Sequence, residues 1–139
     1  MLKAAIVYHS RTGTTRMLAK QIAAFLDNHQ IEARVLSIGE CTDQALAEVD
    51  YLLLGCWTQG LFFIMQRPDE LWVDFAHKLP ALGVPRVGLF TTYKIATGSM
   101  FRKMRRHLGD RVGQVRLELK SRNGQLSRRQ QSALERFVA

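Results

Sequence analysis

Disulfide chemistry and membrane anchoring find little support in this sequence. It has only two cysteines, Cys41 and Cys56, which are too few for a disulfide framework and predict free thiols in a reducing compartment. No apolar stretch approaches the roughly 20 residues that a membrane-spanning helix needs. The first apolar run, residues 4–7, is too short for the core of a secretory signal peptide. The length and these absences predict one domain, residues 1–139, in the cytoplasm.

Metal-binding patterns are missing as well. The four histidines are scattered along the chain without the spacing of a ligand set, and the two cysteines do not form a metal-type pair. We therefore expect no structural or catalytic zinc site.

A surplus of acid is also absent, since the net charge is +8 and the sequence pI is near 10.1. Residues 1–100 carry nine Lys/Arg and nine Asp/Glu, whereas residues 101–139 carry eleven against three. The excess positive charge therefore lies in the last quarter of the chain. A basic patch of this kind attracts acidic proteins, phosphate or nucleic acid, although solvated helix faces alone give the same pattern. Nucleic acid is disfavoured as a partner because no helix-turn-helix or RNA-binding signature is present.

Short apolar runs alternate with amphipathic segments along the whole chain. Apolar or alternating runs predict five strands, and helical spacing predicts four helices. The strands are expected at residues 3–8, 33–38, 51–55, 86–90 and 115–119, and the helices at residues 14–28, 71–79, 99–108 and from 127 onward. This order predicts an α/β fold, a three-layer doubly wound five-stranded parallel sheet. Ligands of such sheets bind beyond the carboxyl ends of the strands.

The loop after the first predicted strand has the chemistry of a phosphate site. It contains four hydroxyl side chains and one glycine: Ser10, Arg11, Thr12, Gly13, Thr14 and Thr15. Glycine lets successive amides turn toward one point, and the following helix adds unpaired N–H groups. The loop lacks the lysine of a Walker-type loop and lacks G-x-G-x-x-G. A terminal monophosphate therefore fits best, and the alternative is a helix cap that binds nothing.

The stretch VYHSRTGTTRMLAKQIA resembles the opening of a flavodoxin, in which a loop of the form [ST]-x-[ST]-G-[NT]-T follows the first strand. The resemblance covers the order and length of the elements over essentially the whole chain, and it is to the short-chain type. It implies the strand order 2-1-3-4-5, flavin mononucleotide (FMN) as cofactor, a phosphate held by residues 10–15, and a function in electron transfer.

The loop predicted after the third strand supplies candidates for the flavin ring. It contains Cys56, Trp57, Thr58, Gln59 and Gly60, followed by Phe62 and Phe63. Trp57 suits stacking on one face of the ring, or else ordinary packing. Gly60 would let a peptide flip so that its carbonyl accepts a hydrogen bond from the N5–H group of the reduced ring. Phe62 and Phe63 either cover the ring or fill space beneath the loop. Cys56 is expected to be a small buried residue and not a nucleophile.

The loop after the fourth predicted strand supplies the rest of the expected site, namely Thr91, Thr92, Tyr93, Lys94, Thr97 and Gly98. In flavodoxins an aromatic residue here often stacks on the outer face of the ring, which implies that role for Tyr93. Thr91 and Thr92 are candidates for hydrogen bonds to the pyrimidine edge. Lys94 departs from the acidic tendency of the family. A cation near the ring would stabilise the reduced, anionic flavin and raise its potential, unless Lys94 points into solvent.

Three functions remain open at this point. The first is an electron carrier, in which the flavin does the chemistry and no side chain is catalytic. The second is an FMN-dependent NAD(P)H reductase acting on a quinone or related acceptor. The third is a flavodoxin fold without flavin that serves as a binding module. Flavodoxins are typically acidic, so the basic charge of this chain predicts a redox partner that is itself acidic and docks near the flavin edge or on the 101–139 face.

Overall fold

The fold is a central sheet with helices on both faces. The computed structural model describes residues 1–61, 64–83 and 85–139. The strands are β1 (Leu2–His9), β2 (Ile31–Ser37), β3 (Tyr51–Leu61), β4 (Ile64–Pro68), β5 (Arg86–Thr92) and β6 (Val115–Ser121). The helices are α1 (Thr14–Asp27), α2 (Asp43–Leu46), α3 (Glu70–His77), α4 (Met100–Leu108) and α5 (Arg128–Val138), with one turn of 3₁₀ helix at Gly109–Arg111.

The main sheet is parallel and has the order β2-β1-β3-β5-β6. This confirms the predicted order, because β5 and β6 are the fourth and fifth strands of the sequence prediction. The middle strands are apolar along their length since both of their faces are buried: residues 4–7 of β1 and residues 51–56 of β3 are almost inaccessible. β6 lies at one edge and β2 at the other.

Two hydrophobic layers cover the sheet, one on each face. α1 and α5 pack on one face, where Leu18, Ile22 and Leu26 recur at helical spacing and are fully buried. α3 and α4 pack on the other face around Trp72 and Met104. The three predicted layers are therefore confirmed. α5 begins with a capping box, in which the side chains of Ser127 and Gln130 each accept a hydrogen bond from the other residue's backbone N–H.

The structure differs from the prediction after residue 55. β3 does not end there but runs on to Leu61, and its second half pairs antiparallel with β4, which is outside the five parallel strands. Residues 56–60 were predicted as a loop. Instead, Cys56 and Trp57 continue the parallel pairing with β5, and the antiparallel pairing with β4 begins at Thr58. Phe62 and Phe63 lie outside the described residues. No helix in the part of the chain described is long and apolar enough to cross a membrane.

Candidate functional site

A cleft of about 440 Å³ opens at the carboxyl edge of the sheet, where the loops after β1 and β5 meet the outer half of β3. Ten of the residues proposed from sequence line it: Arg11, Thr12, Thr14, Trp57, Thr58, Gln59, Gly60, Thr92, Tyr93 and Lys94. Three segments that are far apart in sequence thus meet at one place. Seven others do not line it: Ser10, Gly13, Thr15, Cys56, Thr91, Thr97 and Gly98.

The loop 10–15 presents the start of α1 to this cleft. Gly13 is the N-cap residue and has φ 99°, a left-handed conformation that glycine adopts without strain. The Ser10 hydroxyl accepts a hydrogen bond from the Gly13 N–H at 3.0 Å, which closes the turn. No side chain caps α1, and the first N–H groups of a helix have no partner within it. These groups and the dipole of a 14-residue helix favour an anion at this end.

The loop after β6 packs against the start of α1, next to the loop 10–15. Gly124 has φ +82°, and a side-chain carbon there would lie 2.9 Å from the backbone oxygen of Thr14. The Gly124 N–H donates to the Ser121 hydroxyl at 3.0 Å, which fixes the turn. The sequence reading left this loop out of the site, although the pair Asn123-Gly124 is a recognisable turn signal.

Cations accompany both aromatic residues of the cleft. The Arg11 guanidinium lies 5.2 Å from the centre of the Trp57 ring. The Arg122 guanidinium and the Lys120 ammonium lie 5.4 and 5.8 Å from the centre of the Tyr93 ring, within the range of cation–π attraction. Arg122 also lines the cleft, and sequence reasoning missed it because its chain segment follows the edge strand β6.

Paired threonines hold the three segments together. The hydroxyls of Thr15 and Thr92 are 2.6 Å apart and buried, which joins α1 to the end of β5. Those of Thr58 and Thr91 are 2.7 Å apart, and Thr91 also donates to the Cys56 carbonyl at 2.6 Å. Thr91 is fully buried, so its hydroxyl supports β3 instead of facing the cleft. The expectation that Thr91 bonds a flavin edge does not agree with this placement.

The hairpin β3–β4 forms one wall, and Gln66 is its inner residue. Gln66 is 3% exposed and lines the cleft, and its backbone oxygen accepts hydrogen bonds from Ser99 and Lys103 at 3.2 and 2.9 Å. A side-chain carbon on Gly98, which has φ +48°, would lie 2.9 Å from the Gln66 amide oxygen. Gly98 therefore permits a close approach of the loop to the hairpin and does not face the cleft.

Gly60 lies at an irregularity in this hairpin, where the pairing register shifts between Gln59 and Leu61. A side-chain carbon at Gly60 would come within 2.9 Å of the Gln66 Cα atom. Glycine is thus required for the two strands to approach here. Cys56, four residues after the first fully buried residue of β3, has a strongly raised thiol pKa because it is buried, which agrees with an inert side chain.

The charged side chains that line the cleft are all cations, namely Arg11, Lys94 and Arg122. No Asp or Glu is among the described lining residues. A negatively charged ligand is therefore attracted by charges of one sign around the cleft.

Two larger hollows are less suited to a cofactor. One of about 670 Å³ runs along β6 beside α4 and has no aromatic residue in its described lining. The other, about 650 Å³, lies between the β2 loop and α3, and includes Cys41 and Phe75. Burial and the nearby Asp43 raise the pKa of the Cys41 thiol to about 11, so it is protonated at neutral pH. Neither hollow contains a hydroxyl-rich loop at the start of a long helix.

Comparisons with known proteins agree with this architecture. A family model described as flavodoxin domain matches residues 5–104. The chain is similar to the two-electron reduced flavodoxin of Megasphaera elsdenii, with 22% identity, a TM-score of 0.73, and 97% of each chain covered. It is similar to a short-chain flavodoxin associated with a non-canonical PDU bacterial microcompartment, with 17% identity, a TM-score of 0.74, and 99% and 95% of the two chains covered.

A third similar structure contains a ligand. It is a mutant of the Fusobacterium nucleatum flavodoxin bound to flavin mononucleotide, with 16% identity and a TM-score of 0.67. The match covers 99% of this chain and 94% of that one. At these identities the structural similarity establishes a shared fold.

Proposed function

This chain belongs to the flavodoxin family, and from that premise we propose that it binds FMN in the three-segment cleft and carries electrons. The observation that supports the proposal most strongly is the convergence on one 440 Å³ cleft of a phosphate-type loop and two aromatic residues from different segments. Small-ligand sites are typically clefts of about this size with an apolar lining and a few convergent polar groups. A flat ring with a terminal phosphate matches these features.

The residues of the cleft fit the parts of FMN. The uncapped start of α1, together with the Thr12 and Thr14 hydroxyls, would hold the phosphate. Trp57 and Tyr93 offer aromatic faces to the ring, and Thr58 and Gln59 offer polar groups for its edges. When bound, the flavin supplies the one- and two-electron chemistry, while the protein orients it, limits water access and sets the local charge. No general acid, base or nucleophile is needed from a side chain.

The proposal is tested by titrating the ligand-free protein with FMN and following the quenching of flavin fluorescence. We expect saturation at one FMN per chain, followed by slow reduction when NADPH is added anaerobically. Rapid bleaching by NADPH would identify a reductase instead of a carrier. An absence of FMN binding would leave the flavin-free binding module as the function and would overturn the proposal.

Lys94 gives a prediction about the redox potential. Lys94 is exposed at the rim of the cleft and no described acid lines that cleft, so we propose that its charge stabilises the reduced flavin. Lys94→Glu should lower the midpoint potential of bound FMN by on the order of tens of millivolts, because it replaces an attractive charge with a repulsive one. Spectroelectrochemical titration measures this shift. Lys78→Glu makes the same charge change beside the α3 hollow and should leave the potential nearly unchanged; an equal shift in both variants contradicts the role of Lys94.

An electron carrier of this family exchanges electrons with partner proteins, and we propose that it does so in the cytoplasm. The two cysteines are free thiols in the structure, which suits a reducing compartment. The charge of this chain bears on which partner it meets.

A further inference from the structure

Two segments of the chain that meet at the end of β6 carry positive charge without acid. Residues 91–109 and 119–134 contain nine Lys/Arg and no Asp/Glu, which is one more positive charge than the net charge of +8 of the whole chain. Arg105 forms an ion pair with Glu118. We call the other eight the basic edge: Lys94, Arg102, Lys103, Arg106, Lys120, Arg122, Arg128 and Arg129.

The fold brings most of the basic edge to the carboxyl end of the sheet. Thr92 and Ser121 are register partners, so the ends of β5 and β6 lie side by side. The chain then continues from β5 into α4 on one face and from β6 into α5 on the other. The first turns of both helices therefore flank the end of the edge strand, next to the cleft that Arg122 lines.

These cations have no acidic partner of their own. Among the described residues, no member of the basic edge has a carboxylate within 4.0 Å, the distance that defines an ion pair. The ion pairs in this part of the chain involve other residues. Lys103 donates to the Gln66 backbone oxygen and Arg122 to that of Ile95, while the remaining six are exposed. Mixed charges of both signs are the more usual surface of a soluble domain.

Positive charge at the start of a helix destabilises it, and two members of the basic edge stand at helix starts. The start of a helix favours acidic side chains and disfavours cations because of the helix dipole. Yet neither α4 nor α5 has an acid in its first turn, and Arg102 and Arg128 stand there instead. Helix stability therefore does not account for these arginines.

We propose that the basic edge docks an acidic redox protein over the mouth of the cleft. This inference rests on the proposed function, because the partner exchanges electrons with the flavin held there. Arg122 belongs both to the cleft lining and to the basic edge, so a partner bound to the edge lies beside the exposed part of the site. The cations stand on both sides of a sheet edge around that site, an arrangement that suits an acidic protein surface more than the path of a nucleic-acid backbone. Opposite charges also accelerate such encounters.

The test compares two variants with the same change in charge. Arg102→Glu/Arg128→Glu reverses two members of the basic edge that do not line the cleft, and it places acids where the helix dipoles favour them. Lys20→Glu/Arg34→Glu is the matched control, with exposed residues on α1 and on the opposite edge strand β2. The probe is an oxidised plant-type ferredoxin, a small acidic iron–sulfur protein, and binding is measured by titration calorimetry at low and high salt.

We expect salt-sensitive binding of the ferredoxin that the Arg102/Arg128 variant weakens by about tenfold or more, and the control by much less. Equal weakening in both variants would show an effect of net charge alone and overturn the proposal. So would tighter binding of the basic protein cytochrome c, or tighter binding of a short DNA duplex at the same residues, which would identify a nucleic-acid site.

FMN loading of each variant is measured on the same samples, which separates the two proposals. Full loading with FMN without any ferredoxin binding refutes the proposed docking on the basic edge and leaves the proposed carrier function intact. Salt-sensitive ferredoxin binding by a protein that takes up no FMN refutes the carrier function, and with it the redox character of the docked partner.

Discussion

Riboflavin should bind at least about 100-fold more weakly than FMN, because it lacks the phosphate that we propose the start of α1 holds. Hydrogen bonds to a charged group contribute about 1.5–3 kcal/mol each, and two of them already account for a factor of about 100. Loop 10–15 offers more than two donors, since α1 has no side-chain cap and Thr12 and Thr14, which both carry hydroxyls, line the cleft. Parallel fluorescence titrations with the two flavins measure the ratio.

A variant of loop 10–15 tests whether the preference for FMN over riboflavin arises in this loop. Thr12→Val removes the hydroxyl of a cleft-lining residue and keeps the size and branching of the side chain. It should weaken FMN binding by about tenfold or more, because one hydrogen bond to a charged group contributes at least about 1.5 kcal/mol, and it should leave riboflavin binding nearly unchanged. Equal affinities of the unmodified protein for the two flavins would contradict a phosphate site in this loop, whatever their absolute values.

The parallel sheet and the turn from β1 into α1 were predictable because their signals are local. A strand buried on both faces is a short apolar run in the sequence, as in residues 3–8 and 51–55. The glycine at position 13 and its neighbouring hydroxyls specify a turn into a helix within six residues, and the structure has Gly13 at the N-cap of α1. Such features need no information from distant parts of the chain.

The hairpin β3–β4 was not predictable in the same way. Thr58, Gln59 and Gly60 have the composition of a loop, and their strand conformation depends on pairing with β4. The return strand contains Met65 with φ 61°, an unusual conformation for a residue with a side chain. Missing the hairpin also meant missing Gln66 as a wall of the cleft.

Contacts between segments that are distant in the sequence could not be predicted either. The Thr15–Thr92 pair joins residues 77 positions apart, so both were predicted as candidate ligands and neither as a brace. Arg122 and Gly124 reach the cleft and α1 because β6 runs parallel to β5 and ends beside it. Only the assembled sheet shows that the last loop supports the first.

Gly55→Ala should cost about 3 kcal/mol or more of unfolding free energy. Gly55 and Phe90 are register partners on β3 and β5, and a side-chain carbon at Gly55 would overlap the ring of Phe90. That ring is fully buried in the same hydrophobic layer as Leu53 and Leu119. Overpacking of a dense core costs about 1–3 kcal/mol and sometimes more, and here the obstacle is a large ring in a packed layer. Urea unfolding followed by circular dichroism measures the loss.

Two further variants separate this clash from the general effect of replacing glycine. Gly39→Ala should change stability by less than about 0.5 kcal/mol, because the nearest atom to its new carbon is 3.9 Å away. Phe90→Ala alone should cost about 3–5 kcal/mol through the cavity that it leaves. In the Gly55→Ala background the same change should cost markedly less, because removing the ring relieves the overlap and the new methyl fills part of the space. Additive losses in this double-mutant cycle would show that Gly55 is not kept small by Phe90.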